Sequence, residues 1–286
     1  MTLSSHTLHT LHTLHTLHTL HTLHTLHTLH TLLTHPRKAR TMNLNRTARA
    51  TGAWYLGLAI TGMLGVLVTD PLLFDESHPA ATLAHLQSRP ELAHLRVGLE
   101  LGVVLTQAMA ALWFGKLFRR INPVAGAGVA LFGMVNATTL LIGSALLATA
   151  VTVAGDPALA PGGDAAATVT LLHTLDSQIG KAAGIFFGLW LIPMGWVALK
   201  RGRFPRALGW VLVVGGGGYV AGAFIALGLA DAPSLLVNGL PWLATVGELW
   251  MVGYLLTKGI RNDGHRSVAA RSDAEPRPAT TSATHR

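Results

Sequence analysis

The chain has 286 residues, of which half are hydrophobic, only 12% are charged and none is cysteine. Soluble domains carry about a quarter charged residues, so this composition favours a protein whose main solvent is lipid. The lack of cysteine excludes disulfides, iron–sulfur clusters, cysteine-ligated zinc and a thiol nucleophile. The net charge of +8 does not indicate nucleic-acid binding, because the basic residues cluster between apolar segments rather than among aromatics on one soluble face.

The N-terminal segment is of low complexity. Residues 6–32 repeat His-Thr-Leu nine times, and a period of three matches neither a helix nor a strand. One interpretation is a histidine-rich metal-binding tract. The interpretation that we prefer is a low-complexity expansion, with the authentic start at Met42. Residues 1–41 are therefore expected to be disordered or to lie upstream of the true start, and they are excluded from the fold.

Six apolar stretches follow, each long enough to cross a hydrocarbon core of roughly 30 Å as a helix of about 20 residues. The first one is long for a signal peptide and no small-residue cleavage site follows it, so we expect it to be retained. The predicted spans cover residues 51–69, 95–117, 123–151, 171–199, 207–229 and 235–256. The sequence thus predicts an all-α, six-helix membrane bundle over residues 46–261, followed by a disordered tail over 262–286.

Several polar residues and prolines predict where the helices begin and end. Asp70-Pro71 is expected to end the first span, and a short surface helix is expected over 80–86. Residues 88–91, Ser-Arg-Pro-Glu, fit a capping box that starts the second span. Asn122-Pro123 is expected to start the third span, and Asp164 to cap the fourth.

Basic residues predict the orientation of the bundle. One set of segments carries Arg37, Lys38, Arg40, Arg46, Arg49, Lys116, Arg119, Arg120, Lys200, Arg201, Arg203, Arg206, Lys258 and Arg261. The opposite loops carry Arg89 against Asp70, Asp75, Glu76, Asp156, Asp164 and Asp231. By the positive-inside rule, both termini are expected in the cytoplasm.

Several motifs recur in a fixed order along the spans. They are residues 46–56 (RTARATGAWYL), 186–191 (FFGLWL), 204–212 (FPRALGWVL), 218–219 (GY), 247–251 (GELWM) and 256–260 (LTKGI). Over residues 46 to 261 the chain resembles the bacterial membrane family known as Domain of Unknown Function 4386. The resemblance implies a six-helix membrane fold and its topology. It implies no reaction, ligand or catalytic residue.

A charge at the bilayer centre costs about 2.5–3.5 kcal/mol on insertion scales, so intramembrane ionisable residues are candidate sites. Glu248 is the deepest carboxylate, roughly 20 Å from the start of its helix at 1.5 Å per residue. It is expected either to bond a neighbouring helix or to serve as a proton or solute site.

Two further polar groups lie closer to the outer surface. Arg96 and Glu100 are four residues apart and are expected to form an interfacial ion pair on one helix face that extends toward the lipid headgroups. Gln107 continues this face, and Asn136 is expected at a comparable depth, so a polar track is one interpretation. On the fourth span, His173 and Asp176 could relay a proton or hold a metal, or could form a solvated helix end.

Small residues predict helix packing. Gly180, Gly184 and Gly188 form a stripe on the fourth span, and Gly218 and Gly222 form another on the fifth.

Pro193 and Pro241 predict kinks in the fourth and sixth spans. Lys181 is poorly placed to pair with Asp176 and is expected to seek another helix or the membrane surface.

Signatures of catalysis are sparse. No H-E-x-x-H motif occurs, Ser144 has no histidine on the last two spans to act as its base, and only His94 and His173 lie near the membrane as haem or metal ligands. No cofactor is therefore expected. The expected partners are the lipid bilayer and proteins not yet identified, with no nucleic acid and with a homo-oligomer left open.

Three function classes remain. The first is a non-enzymatic scaffold or partner-binding protein of a bacterial inner membrane. The second is a small-solute or proton-coupled transporter using Glu248, with Glu100, Gln107 and Asn136 as lining. The third is a metal- or haem-dependent membrane enzyme that uses the two histidines His94 and His173.

Overall fold

The computed structural model describes residues 44–75, 77–200, 202–229 and 234–260. By its contacts the chain divides into two compact units, Met1–Arg46 and Thr47–Arg286. Only residues 44–46 of the first unit are described, as the beginning of a helix. The expectations for residues 1–41 and 262–286 lie outside the described residues.

The described residues form seven α-helices and no strand. The helices are α1 (Leu44–Leu73), α2 (Pro79–Ser88), α3 (Pro90–Arg119), α4 (Pro123–Gly155), α5 (Ala165–Lys200), α6 (Arg206–Gly228) and α7 (Ser234–Thr257). Two single 3₁₀ turns, Pro157–Leu159 and Pro161–Gly163, join α4 to α5. The expected all-α fold class is confirmed in this part of the chain.

Within the described residues, five helices are long and apolar enough to cross a membrane: α1, α3, α4, α5 and α6. The chain is therefore an integral membrane protein. Helix α7 has 24 residues, and its role as a sixth span stays a prediction, as does the orientation. Helices α1, α3, α5 and α7 extend beyond their predicted spans at both ends, α4 extends only at its C-terminal end, and α6 is displaced by one residue. Helices α5 and α7 run unbroken through Pro193 and Pro241.

The predicted end of the first span at Asp70-Pro71 is wrong. Helix α1 continues to Leu73 because its turns widen to a π-helix over Leu64–Thr69 before the proline. The backbone N–H of Asp70 bonds the carbonyl of Gly65, five residues back. Pro71 has no N–H to contribute, so it follows this wider turn without breaking the helix. Single π-helical turns of this kind are frequent at functional sites.

The helix caps differ in how well they were predicted. The capping box at Ser88 is wrong, because Arg89 is the N-cap of α3 and the Ser88 hydroxyl bonds the His85 carbonyl instead. Asn122 does cap α4, accepting from the backbone N–H groups of residues 124 and 125. The Asp164 carboxylate accepts from the Ala167 N–H at 2.9 Å. The expected surface helix is α2, with Thr82 and Leu86 buried.

The six long helices form a closed ring of antiparallel neighbours, and close glycine contacts trace its order, α1–α3–α4–α5–α6–α7–α1. The contacts join Gly57 to Thr106, Gly133 to Ala111, Gly128 to Pro193, Gly188 to Gly216, Gly215 to Ala244, and Gly52 to Leu255. Helix backbones approach closely where side chains are small, and in lipid this packing replaces the hydrophobic effect as the source of helix association. The two ends of the ring differ in chemistry.

Aromatic and basic residues lie at one end of the ring. The Lys116 and Lys200 ammonium groups lie 4.5 Å and 4.4 Å from the ring centroids of Trp113 and Trp196, respectively. Tryptophan and lysine side chains of this kind are typical of a membrane–water interface. The opposite end carries the acidic residues other than Glu248, and α2 packs there against α4 and α5.

Candidate functional site: a charged cavity between α1, α3 and α5

The guanidinium of Arg96 on α3 lies between two carboxylates. Its Nε donates to Asp70 Oδ1 of α1 at 2.5 Å, and its Nη1 donates to Glu100 Oε2 at 2.5 Å. Arg96 Nη2 also reaches Asp70 Oδ2 at 3.4 Å. Arg96 is only 4% exposed, so it is buried in the bundle and does not extend to the surface. A buried charge of this kind is tolerated only when it is paired.

The π-helical turn of α1 accommodates this network. A Cβ on Gly65 would lie 3.6 Å from Arg96 Nη1, in ordinary van der Waals contact, so the guanidinium lies beside this turn of α1. The Thr69 hydroxyl donates a second hydrogen bond, at 2.7 Å, to the Gly65 carbonyl that also accepts from the Asp70 N–H. The turn thus places Asp70 opposite Arg96.

Asp176 of α5 faces the same network from the other side. Its charge interacts with those of Glu100, Arg96 and Asp70, but within the described part of the chain it makes no ion pair or hydrogen bond. Its carboxylate lies against the backbone of α4 at Gly143, where any Cβ would collide with it. Gly143 therefore sets the position of the Asp176 carboxylate.

These groups line a cavity of about 560 Å³. The remaining wall consists of the hydroxyls of Thr61 and Ser177 and of apolar and aromatic side chains, among them Val103, Leu140, Phe74 and His173. Small-molecule sites occupy about 300–1,000 Å³ and combine apolar walls with a few convergent polar groups. In the described residues no three His, Asp or Glu side chains are grouped closely enough to hold a metal ion.

A smaller cavity of about 220 Å³ lies next to the charged one, and His173 and Ser177 line both. The Phe74 ring stacks on His173 with centroids 3.8 Å apart and planes 6° from parallel. Asp75 and Lys181 lie on the far side of this stack. The Ser77 backbone N–H, at 2.9 Å, lowers the pKa of Asp75.

Glu248 lies elsewhere, at the contact between α7 and α1. Its Oε1 accepts a hydrogen bond from the Tyr55 hydroxyl at 2.7 Å, and Tyr219 of α6 is a further neighbour. Tyr55 itself is packed edge-on against Phe114 and Trp190, with both ring centroids 5.3 Å away. Glu248 lines neither the charged cavity nor the smaller one beside it, nor an apolar groove of about 440 Å³ beside Tyr219.

The remaining candidates are distributed through the bundle. Gln107 and Asn136 are buried in the core at a comparable level, since the Gln107 amide reaches the carbonyl of Gly133, one turn before Asn136. His94 is exposed and its Nδ1 lies 2.8 Å from the Pro90 carbonyl oxygen of its own helix. The Ser144 hydroxyl bonds the Leu140 carbonyl. The structure thus brings Glu100, Asp176 and His173 together and keeps Glu248, Gln107 and Asn136 apart from them.

The glycine stripes face the interior of the ring to different extents. Gly188 lies against the backbone of Gly216, and Gly184 is in ordinary contact with Tyr219 and Ala223. Gly180 has open space around it and lines the charged cavity. Gly218 and Gly222 are buried in α6.

Asp70 was missed by sequence reasoning, which assigned it to the turn after the first span. A signal was available: Arg96 lies inside an apolar stretch with one carboxylate on its own helix, and a buried arginine offers donors for more than one partner. An acidic residue at the end of a neighbouring span is the natural second partner. The π-helical turn that places it there has no recognisable sequence pattern.

Comparison with known proteins gives one match. No curated protein and no solved structure matches the chain. The family model described as Domain of unknown function (DUF4386) matches residues 50–259. The match covers all six long helices except the first residues of α1, and it includes every residue that lines the charged cavity. The chain therefore belongs to the DUF4386 family.

Proposed function

We propose that this membrane protein binds a small organic cation in the charged cavity and acts in solute binding or transport, without catalysing a reaction. The observation that carries the proposal is the imbalance of charge around the cavity. Three carboxylates, from α1, α3 and α5, face one guanidinium. With all four groups ionised the wall carries a net charge of −2, that is −3 from the carboxylates and +1 from Arg96.

Arg96 is committed to Asp70 and Glu100, and this leaves Asp176 as the carboxylate available to a ligand. An ammonium group placed against Asp176 would also experience the fields of the other two carboxylates, opposed in part by the field of Arg96. Thr61 and Ser177 contribute hydroxyl oxygens that can accept from an ammonium group, and Phe74 contributes an aromatic ring, one face of which is stacked on His173. The apolar part of the wall suits the carbon skeleton of an amine.

The proposal moves the transporter hypothesis away from Glu248. Glu248 has a hydrogen bond to Tyr55 and lines none of the described cavities, which fits a contact that holds α7 to α1. The scaffold hypothesis loses support as well, because the glycine contact of Gly188 is used within the chain, against Gly216 of α6. A scaffold or partner-binding role is the second candidate function, and in that role the exposed faces of the helices would bind the partner.

The proposal includes the topology expected from the sequence: six spans, both termini in the cytoplasm, in the inner membrane of a bacterium. Basic residues at the ends of α3 and α5, Arg119 and Lys200 among them, support this orientation. The charged cavity would then lie in the outer half of the bilayer, near the external ends of α1 and α3.

A matched set of three ligands tests the proposal. Butylammonium, butanol and butyrate share one carbon skeleton and differ in charge. The purified protein in lipid nanodiscs is heated with each compound at equal concentration and ionic strength. We expect butylammonium alone to raise the unfolding temperature, since only a ligand that binds the folded state stabilises it. Equal effects of the three compounds, or none, would contradict the proposal.

A further inference from the structure

Three polar side chains in the core of the ring have atoms without a hydrogen-bond partner among the described residues. They are Gln107 of α3, Asn136 of α4 and Trp190 of α5, which are 0%, 2% and 0% exposed. The atoms concerned are Gln107 Oε1, Asn136 Oδ1 and Trp190 Nε1. Buried polar atoms are nearly always paired, so three such atoms in one region need an explanation.

Two of the three side chains meet at Gly133 of α4, and the third follows about one turn later on the same helix. The Gln107 Nε2 donates to the Gly133 carbonyl at 3.5 Å, and the Trp190 Nε1 lies 3.1 Å from the point that a Cβ on Gly133 would occupy. Asn136 is three residues after Gly133 and therefore on the same helix face. Because residue 133 has no side chain, polar groups from α3 and α5 both reach the backbone of α4 there.

The chemistry of the three atoms defines what can satisfy them. Two are amide oxygens, which accept, and the third is an indole N–H, which donates. A water molecule donates two hydrogen bonds and accepts at least one, so it complements all three. Internal waters typically make about three hydrogen bonds to otherwise unpaired buried groups. If the Asn136 amide were turned over, the same water would accept from it instead.

We infer that α3, α4 and α5 bind a single structural water molecule at this point, bridging Gln107, Asn136 and Trp190. The water holds three helices together in the centre of the membrane domain, where unpaired polar groups are most costly. This inference does not depend on ligand binding in the charged cavity, which lies nearer to the end of the bundle.

An experimental structure of the unmodified chain, at a resolution that shows other internal waters, tests the inference directly. We expect one density peak about 2.7–3.2 Å from each of the three atoms, the range of N–H···O and O–H···O bonds. Direct bonds among the three side chains, or no peak between them, would overturn it.

A substitution provides a second test in the folded membrane protein. Asn136→Leu has nearly the same shape but removes a bond to the water, so it should shift the unfolding equilibrium in detergent roughly five-fold or more toward the unfolded state. Thr138→Val is the matched control, since Thr138 is exposed on the same helix and bonds only Met134 of that helix. If Asn136 were unpaired and dry, its replacement by leucine would leave stability unchanged or raise it, and the inference would fail.

Discussion

At the scale of single residues, the charged cavity depends on one glycine that lets a carboxylate touch a neighbouring backbone. Gly143 lets the Asp176 carboxylate rest on α4, whereas a Cβ on Gly65 would only be in ordinary contact with the Arg96 guanidinium. The position of the Asp176 charge is therefore set in part by a helix other than its own. A side chain at position 143 would move this charge without removing it.

Gly143→Ala tests this positioning. The added methyl group would push the Asp176 carboxylate away from its present place, and we expect the affinity for butylammonium to fall about ten-fold, or 1.4 kcal/mol. Gly155→Ala is the control, because no atom lies within 4 Å of a Cβ at that position. Equal affinities of the two variants would show that Gly143 does not position the carboxylate.

The ion network around Arg96 is expected to be required for stability. Arg96→Gln leaves Asp70 and Glu100 without their cation in a partly buried site, and breaking one partner of such a pair costs about 3 kcal/mol. Adding Asp70→Asn and Glu100→Gln should recover most of this loss, since neutral amides need no counter-charge. Unfolding titrations of the single and triple variants measure both effects. A triple variant as unstable as the single one would contradict the electrostatic explanation.

At the scale of the helices, the ring is closed by the contact between the first and the last described helix. Gly52 packs against Leu255, and the Tyr55 hydroxyl donates to Glu248. No short loop links α1 to α7, because the two helices are at opposite ends of the domain in sequence. Their association therefore depends on non-covalent contacts. The hydrogen bond is therefore expected to stabilise the closure, as polar contacts between membrane helices do.

Tyr55→Phe keeps the ring packed against Phe114 and Trp190 and removes only the donor. We expect it to lower the free energy of unfolding by about 1 kcal/mol, the net contribution of a typical hydrogen bond. Glu248→Gln retains an oxygen that can accept the hydrogen bond from Tyr55, so it should lower the free energy of unfolding by less than Tyr55→Phe does. Unfolding in detergent compares the two variants, and a Tyr55→Phe variant as stable as the unmodified chain would refute a stabilising role.

At the scale of the whole molecule, the proposed topology gives the two ends of the bundle different sides of the membrane. The acidic end with the charged cavity is expected outside, and the basic end with Trp113 and Trp196 in the cytoplasm. Because the chain has no cysteine, a single introduced cysteine can be labelled without background. Ala158 lies in the loop after α4 and Arg120 follows α3 at the opposite end, and both are exposed.

A membrane-impermeant maleimide should label Ala158→Cys in intact cells and should label Arg120→Cys only after the membrane is permeabilised. The physical reason is the retention of basic loops in the cytoplasm. The reverse pattern would place the cavity in the inner half of the bilayer and would refute the proposed topology.

The sequence predicts the helices far better than it predicts the site. Apolar runs locate the long helices because lipid requires about 20 apolar residues per crossing. The four-residue spacing of Arg96 and Glu100 along one helix is enough to predict their ion pair. The approach of Asp70 and Asp176 depends on how three helices pack, and on a π-helical turn with no sequence signature. Depth alone singled out Glu248, although a deep carboxylate can be a packing contact rather than a site.

The central claim is that Asp176 faces a cavity that selects a cation, and calorimetric titration of butylammonium into the protein in nanodiscs tests it most directly. Asp176→Asn should weaken binding at least ten-fold. Asp164→Asn is the control: Asp164 lies at the start of the same helix but outside the cavity, and asparagine preserves its cap. We expect this control to bind butylammonium like the unmodified chain. Equal binding by the Asp176→Asn variant would contradict the central claim.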